Sequence, residues 1–226
     1  MLRCCFLASF GLLLSANALS AQTPNPAPAP AATASPPQKT MEDPQVGDHW
    51  TYEARDNITG EIKSTYTSVV TDVSATDISI RNAFVGNPNL GYEVYDRSWN
   101  RTSNDSWHYS PSDGAGMKAP LAVGKTWSIN ATDLNNSAGV SWTRSVSSKV
   151  VAQETVTTRA GTFDTFKIET SVDYQNTKDP TRKLQETRQT WYAPPIDHWV
   201  KQASVMRADG RVRNSTSAEL IEYGRR

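Results

Sequence analysis

The chain is expected to fold as an all-β domain, a single curled antiparallel sheet of half-barrel or sandwich-like form. Three observations predict it. Beyond residue 44 there are sixteen Val and eight Ile against five Leu, and all seven Trp and all eight Tyr lie there. Such β-branched and aromatic side chains fit a pleated, half-buried surface. In residues 166–174, Phe166, Ile168, Thr170, Val172 and Tyr174 alternate with Lys167, Glu169, Ser171 and Asp173. This is the period-two pattern of a strand with one face on a core and one in water. Finally, no amphipathic helical stripe with end caps occurs in the domain.

Residues 1–21 read as a signal peptide. Arg3 precedes an apolar run over 4–14, and Ala16-Asn17-Ala18 fits a small-residue cleavage pattern. The run is too short to span a bilayer, and no later stretch is long enough. The expected location is therefore periplasmic or secreted, with no transmembrane segment in the mature chain. Cys4 and Cys5 are the only cysteines and leave with the leader, so the mature chain has no disulfide and no thiolate chemistry. Residues 22–44 are dominated by Pro and Ala without periodicity, the composition of a disordered, extended linker.

The antiparallel domain is expected over 45–224. Val46-Gly47-Asp48-His49-Trp50-Thr51-Tyr52 is a turn feeding a strand, with Trp50 and Tyr52 on one face. A turn at 57–60 leads into a long strand over 61–73, and a turn at 74–77 into alternation at 78–81. Residues 82–89 are loop-like and 92–95 form a short strand. Residues 99–116 are polar and aromatic, compatible with a strand at 106–109 or with one long loop. A second Val-Gly-x-x-Trp, Val123 to Trp127, follows the first by 77 residues. Two related meanders starting near 46 and 123 would explain it, and so would two strand starts that each bury a Trp. Residues 140–158 form a long strand, with Val146, Val150, Ala152 and Val156 able to share a face. After 166–174 come a polar turn at 175–182 and strands at 183–192, 199–207 and 215–223. Asp209-Gly210 supplies a hairpin turn between the last two.

Ala160-Gly161-Thr162-Phe163 with Phe166-Lys167-Ile168, then Trp191-Tyr192-Ala193-Pro194, then Val200-Lys201, resembles a pattern of uncharacterised exported bacterial proteins with a domain of unknown function. Those proteins are similar to the curled half-barrels of periplasmic lipoprotein carriers. Their usual form has a glycine in the corner before the Val-Lys strand, whereas this corner reads Pro194-Pro195-Ile196-Asp197-His198-Trp199. The resemblance implies an exported β-domain and brings no catalytic residue.

Composition and motifs exclude several function classes. Formal charge is zero, and loss of Arg3 leaves a slight acidic excess, so nothing attracts nucleic acid. There is no Gly-x-Ser-x-Gly elbow, no phosphate-cradling glycine loop and no dinucleotide fingerprint. His49, His108 and His198 are too scattered for a zinc motif. No catalytic residue, metal ligand or cofactor is therefore assigned. Aromatic residues are the one enrichment that suggests binding. Trp50 and Trp127 read as core, while Trp99 and Trp107 stand among polar residues and are the candidate ligand contacts. The leading expectation is a non-enzymatic exported domain that binds an apolar or amphipathic ligand, or an envelope partner: a lipid, a glycan or an envelope protein. One alternative is a carbohydrate- or envelope-interacting module using exposed Trp, another a periplasmic hydrolase without a recognisable motif. A cavity lined by Phe166, Ile168, Val172 and Val205 would favour the first. A shallow row of tryptophans would favour the second, and a cleft joining a histidine to an acid the third.

Overall fold

The computed structural model describes residues 40–225; the expected leader at 1–21 and residues 22–39 of the expected linker lie outside them. Twelve strands follow one another. They are β1(His49–Asp56), β2(Ile62–Val73), β3(Asp77–Phe84), β4(Leu90–Asp96), β5(Arg101–Asn104), β6(His108–Ser110), β7(Thr126–Asn135), β8(Val140–Thr158), β9(Gly161–Asn176), β10(Lys183–Ala193), β11(His198–Ala208) and β12(Arg211–Gly224). Each pairs antiparallel with the next, and β12 returns to β1, so the expected curled sheet closes into a barrel. Closure removes the unpaired edges that an open sheet exposes. No α-helix occurs among the described residues; the corner at Pro194–Ile196 is a single 3-10 turn. Among the described residues no helix is long and apolar enough to cross a membrane.

The period-two reading of β9 holds. Ile168, Thr170 and Val172 are buried while Glu169, Ser171 and Asp173 are exposed. On this strand, charged and polar side chains on the outer face are the reverse of the apolar band that a membrane barrel presents to lipid. Asp209 and Gly210 take φ of 51° and 72°, the two left-handed positions of a tight hairpin turn.

The two Val-Gly-x-x-Trp turns are built alike. Gly47 and Gly124 have φ of 94° and 90°, a region glycine enters without Cβ strain. Gly47 N–H donates to Val70 O (2.9 Å), and Val70 N–H returns to Asp48 O (2.8 Å). Gly124 N–H donates to Val150 O (2.8 Å), and Val150 N–H returns to Lys125 O (2.9 Å). Trp50 lies opposite Ser68 and Trp127 opposite Ser148. Immediately past Val70 and past Val150 the register shifts by a bulge, which re-aims the residues beyond it.

The interior has two halves. One is apolar: Trp50, Tyr52, Val70, Ile78, Ile80, Phe163, Ile196, Val200 and Leu220 form a continuous buried cluster. Trp50 and Tyr52 share this core as their spacing predicts, but Trp127 is only half-buried. Met41, inside the stretch read as linker, is also buried here, and its N–H donates to Pro195 O (2.6 Å). Packing of the chain therefore starts before Val46.

The other half is charged. Arg144 Nε donates to Asp133 Oδ2 (3.0 Å) and its Nη1 to Asp113 O (3.0 Å). Its guanidinium lies 5.2 Å and 5.0 Å from the Tyr109 and Tyr174 ring centres. Tyr174 Oη donates to Glu186 Oε2 (3.0 Å), whose other oxygen accepts from Arg188. Buried charges persist only when paired in this way.

The polar stretch after β4 forms two short strands, β5 and β6, joined by a single paired position, Ser103 with His108. The segment that follows turns inward. Asp113 N–H donates to Arg101 O (2.8 Å) and Met117 N–H to Ser98 O (2.7 Å). A Cβ on Gly116 would stand 2.2 Å from Ser98 O, so this approach requires glycine. Ser112 and Asp113 are buried, and the segment plugs part of the lumen.

Asp133→Ala leaves the buried Arg144 without its counter-ion. The expected loss is about 3–5 kcal/mol of unfolding free energy, read by urea denaturation; a loss under about 1 kcal/mol would contradict the assignment.

Candidate functional site

Where the two halves meet, the barrel holds a cavity of about 240 Å³. Its polar wall is Arg101 from β5, Arg188 from β10, Glu93 from β4 and Asp113 from the plug. Its apolar wall is Tyr95, Trp99, Tyr192, Trp199 and Met117. A second cavity of about 230 Å³ adjoins it, sharing Tyr66, Glu93, Tyr95, His198 and Trp199 and continuing to Ile80 and Phe84. Phe166, Ile168, Val172 and Val205 line neither cavity. Ile168 and Val172 pack as core instead. A larger groove of about 520 Å³ lies elsewhere, among turn residues, hydroxyls and amides near Asp209. It has little of the apolar wall that small-molecule sites use.

Trp99 reaches the lumen. It sits in the corner between β4 and β5, half-buried, with rings of Trp50, Tyr95 and His198 at 5.7, 5.6 and 4.8 Å. Its Nε1–H donates to Asp197 Oδ2 (3.0 Å). Trp99 therefore faces inward and forms no surface platform. Trp107, picked out by the same polar surroundings, is half-buried in the turn between β5 and β6. Its N–H donates to Asn104 Oδ1 (2.8 Å), and it does not line the cavity.

The corner without its expected glycine resolves through Asp197, which takes φ of 45°. Asp tolerates this left-handed conformation better than most residues. Trp99 is left-handed too, at φ of 60°, where a bulky side chain is strained. The two strained corners are bonded to each other across the lumen, and Tyr192 Oη donates to the other Asp197 oxygen.

His198 was one of three scattered histidines in the sequence, and the barrel puts it in the wall of both cavities. Trp199 N–H donates to its Nδ1 (3.0 Å), and Tyr52 Oη lies 2.9 Å from the same nitrogen. Tyr52 Oη itself donates to Trp199 O (2.8 Å). Burial pushes the His198 pKa down to about 3, so the ring is uncharged near neutral pH. Among the described residues no carboxylate bonds it. His49 does meet an acid, Glu222 Oε1 at 2.9 Å, but that pair is outside the cavity and Glu222 is largely exposed.

Residues 117–209 match a family described as DUF3108-like; the Ala160-to-Lys201 pattern lies within them. No curated protein matches the chain by sequence. The chain is similar in structure to a lipoprotein candidate from Parabacteroides distasonis, with TM-score 0.52 and 14% identity over 83% of this chain and 100% of that one. It also aligns with the hypothetical lipoprotein YmcC of Escherichia coli K12, with TM-score 0.47 and 12% identity over 80% of this chain and 90% of that one. The first of these likenesses supports the fold.

Burial raises the Asp197 pKa to about 6, against the hydrogen bonds from Tyr192 and Trp99 that favour its ionised form. Because the fold binds this proton more tightly than the unfolded chain does, the carboxyl favours folding below the ordinary carboxylate range. That contribution is lost as pH rises through about 6. The indole N–H resonance of Trp99, bonded to this carboxylate, is expected to titrate with a midpoint near 6. A resonance that does not move across that range would show that Asp197 stays ionised.

Proposed function

We propose that this protein is an exported, non-enzymatic binding protein that holds one small amphipathic ligand inside its barrel. The observation that carries the reading is the composition of the lumen. A cavity of about 240 Å³, charged on one wall and aromatic on the other, adjoins a second of about 230 Å³ that Ile80 and Phe84 help to line. An engineered apolar cavity of about 150 Å³ suffices to bind benzene, so this space suits a ligand of one or two rings or a short chain. The left-handed Trp99 and Asp197 add support, since such strain persists at ligand clamps. Trp99 is assigned as a ligand contact.

Among the described residues the wall holds no nucleophile paired with a base: Ser68 donates to Asn82 Oδ1 (2.6 Å), and Glu93 is taken up by Arg101, Asn82 and Tyr95. His198 is neutral, bonded through Nδ1 and without a carboxylate partner, so the wall suits recognition better than hydrolysis. The export reading rests on the pattern at 1–21 and agrees with the lipoprotein description of the structural relative.

Native mass spectrometry of the protein purified from its own host's envelope is expected to show an adduct that unfolding releases. Ala115→Phe, which projects a ring into the cavity from the plug, is expected to abolish the adduct while thermal unfolding stays cooperative. Wild-type protein that is uniformly free of adduct, or an adduct untouched by Ala115→Phe, would contradict the proposal.

A further inference from the structure

The polar atoms of the cavity wall are unevenly used. Its carboxylates are already engaged. Glu93 accepts from Arg101 through Oε1 (2.6 Å) and from Asn82 and Tyr95 through Oε2 (3.1 and 2.6 Å). Burial alone would raise its pKa, yet the Arg101 charge and these donors hold it below the usual value. Asp113 accepts two backbone N–H groups through Oδ1, and its Oδ2 faces Arg101 Nε at 3.8 Å. Asp197, which bonds the wall residues Trp99 and Tyr192, accepts through both oxygens.

The donors are not engaged to the same degree. Arg188 reaches Glu186 through Nε and Nη2 only, so among the described residues its Nη1 bonds nothing. Arg101 uses Nη1 on Glu93, and among the described residues its Nη2 bonds nothing; its Nε is buried against Asp113 Oδ2 at 3.8 Å and is closed to a ligand. Tyr66 Oη and His198 Nε2 likewise have no protein partner among the described residues, and both residues line the cavity. Gln202 supplies a free side-chain acceptor, having bonded Thr190 through its amide nitrogen (3.3 Å). Two guanidinium groups, a hydroxyl and an imidazole nitrogen are thus left to meet whatever enters. Donors left open in a wall otherwise built of paired charges and rings favour a ligand that supplies acceptors.

We infer that the ligand carries an anionic oxygen head, a carboxylate or a phosphate. The head meets Arg188, Arg101, Tyr66 and His198, and the apolar body lies against Trp99 and Trp199 toward Phe84. This rests on the proposal that the lumen binds a ligand, and it specifies the charge of that ligand. Guanidinium groups in a low-dielectric wall recognise carboxylate and phosphate oxygens in a fixed fork.

The test is isothermal titration of the purified, refolded and therefore ligand-free chain with four probes sharing one ring system. They are 2-naphthoate, 2-naphthyl phosphate, 2-naphthamide and 2-naphthylmethylammonium. At least one anion is expected to bind about tenfold or more tighter than the amide and the cation, the effect of one or two charge-assisted hydrogen bonds. The tighter anion identifies the head. Arg188→Gln is expected to remove most of that preference while leaving the amide's affinity in place. Tyr66→Phe, which deletes only a hydroxyl without a protein partner, is expected to narrow the preference and provides the same comparison if Arg188→Gln fails to fold. Amide or cation binding as tightly as both anions would overturn the charge assignment and leave the lumen site standing. Failure of all four probes would overturn both.

Discussion

Closure of the sheet through β1 is the constraint on which the rest of the structure depends. β1 pairs with β2 on one side and β12 on the other, and once both ladders exist the barrel has an inside that must be filled. Eight strands make an interior that side chains just fill, and width grows with strand number. Twelve strands leave more room than one apolar core occupies. The protein fills its lumen with three materials: the cluster around Trp50 and Tyr52, the Arg–Tyr–carboxylate lattice around Arg144, and the inward segment carrying Asp113, Ala115 and Met117. The cavity is the space that these three leave between them.

Its walls are held by interactions between distant parts of the chain. Trp99 stands at the corner after β4 and Asp197 at the corner before β11. Both backbones are left-handed, and one hydrogen bond joins them. His198, next in sequence, lies tilted against Trp50 from β1 at 4.4 Å, and Trp199 stacks at 3.8 Å on Tyr52. The aromatic wall of the cavity is therefore also the roof of the apolar core, and a ring displaced by a ligand would disturb both. Such coupling favours a preformed site over an adaptable one.

The fold was largely legible. β-branched composition, the alternation of Ile168 and Val172 with Glu169 and Asp173, and Asp209-Gly210 each act locally, through pleat and turn chemistry that nearby residues determine. The cavity was less so. Its wall comes from β2, β4, β5, β10, β11 and the segment before β7, so no window of sequence contains it. The same polar surroundings singled out Trp99 and Trp107, yet only the former turns inward. That difference depends on the left-handed backbone at Trp99, which nothing in its neighbours announces. Bulges past Val70 and Val150 shift the register that alternation alone would extend. Arg101 falls in the stretch that reads as loop apart from a strand at 106–109, and in the strands expected at 92–95 and 183–192 nothing marks Glu93 or Arg188 as facing inward.

The central claim is that ligand enters the lumen and does not sit on the outer face. Indole N–H resonances of the seven tryptophans, recorded as 2-naphthoate is added, test it most directly. The account predicts that Trp99 and Trp199 shift with saturation while Trp107 and Trp142 do not. Saturable shifts confined to Trp107 or Trp142, with Trp99 unmoved, would contradict it.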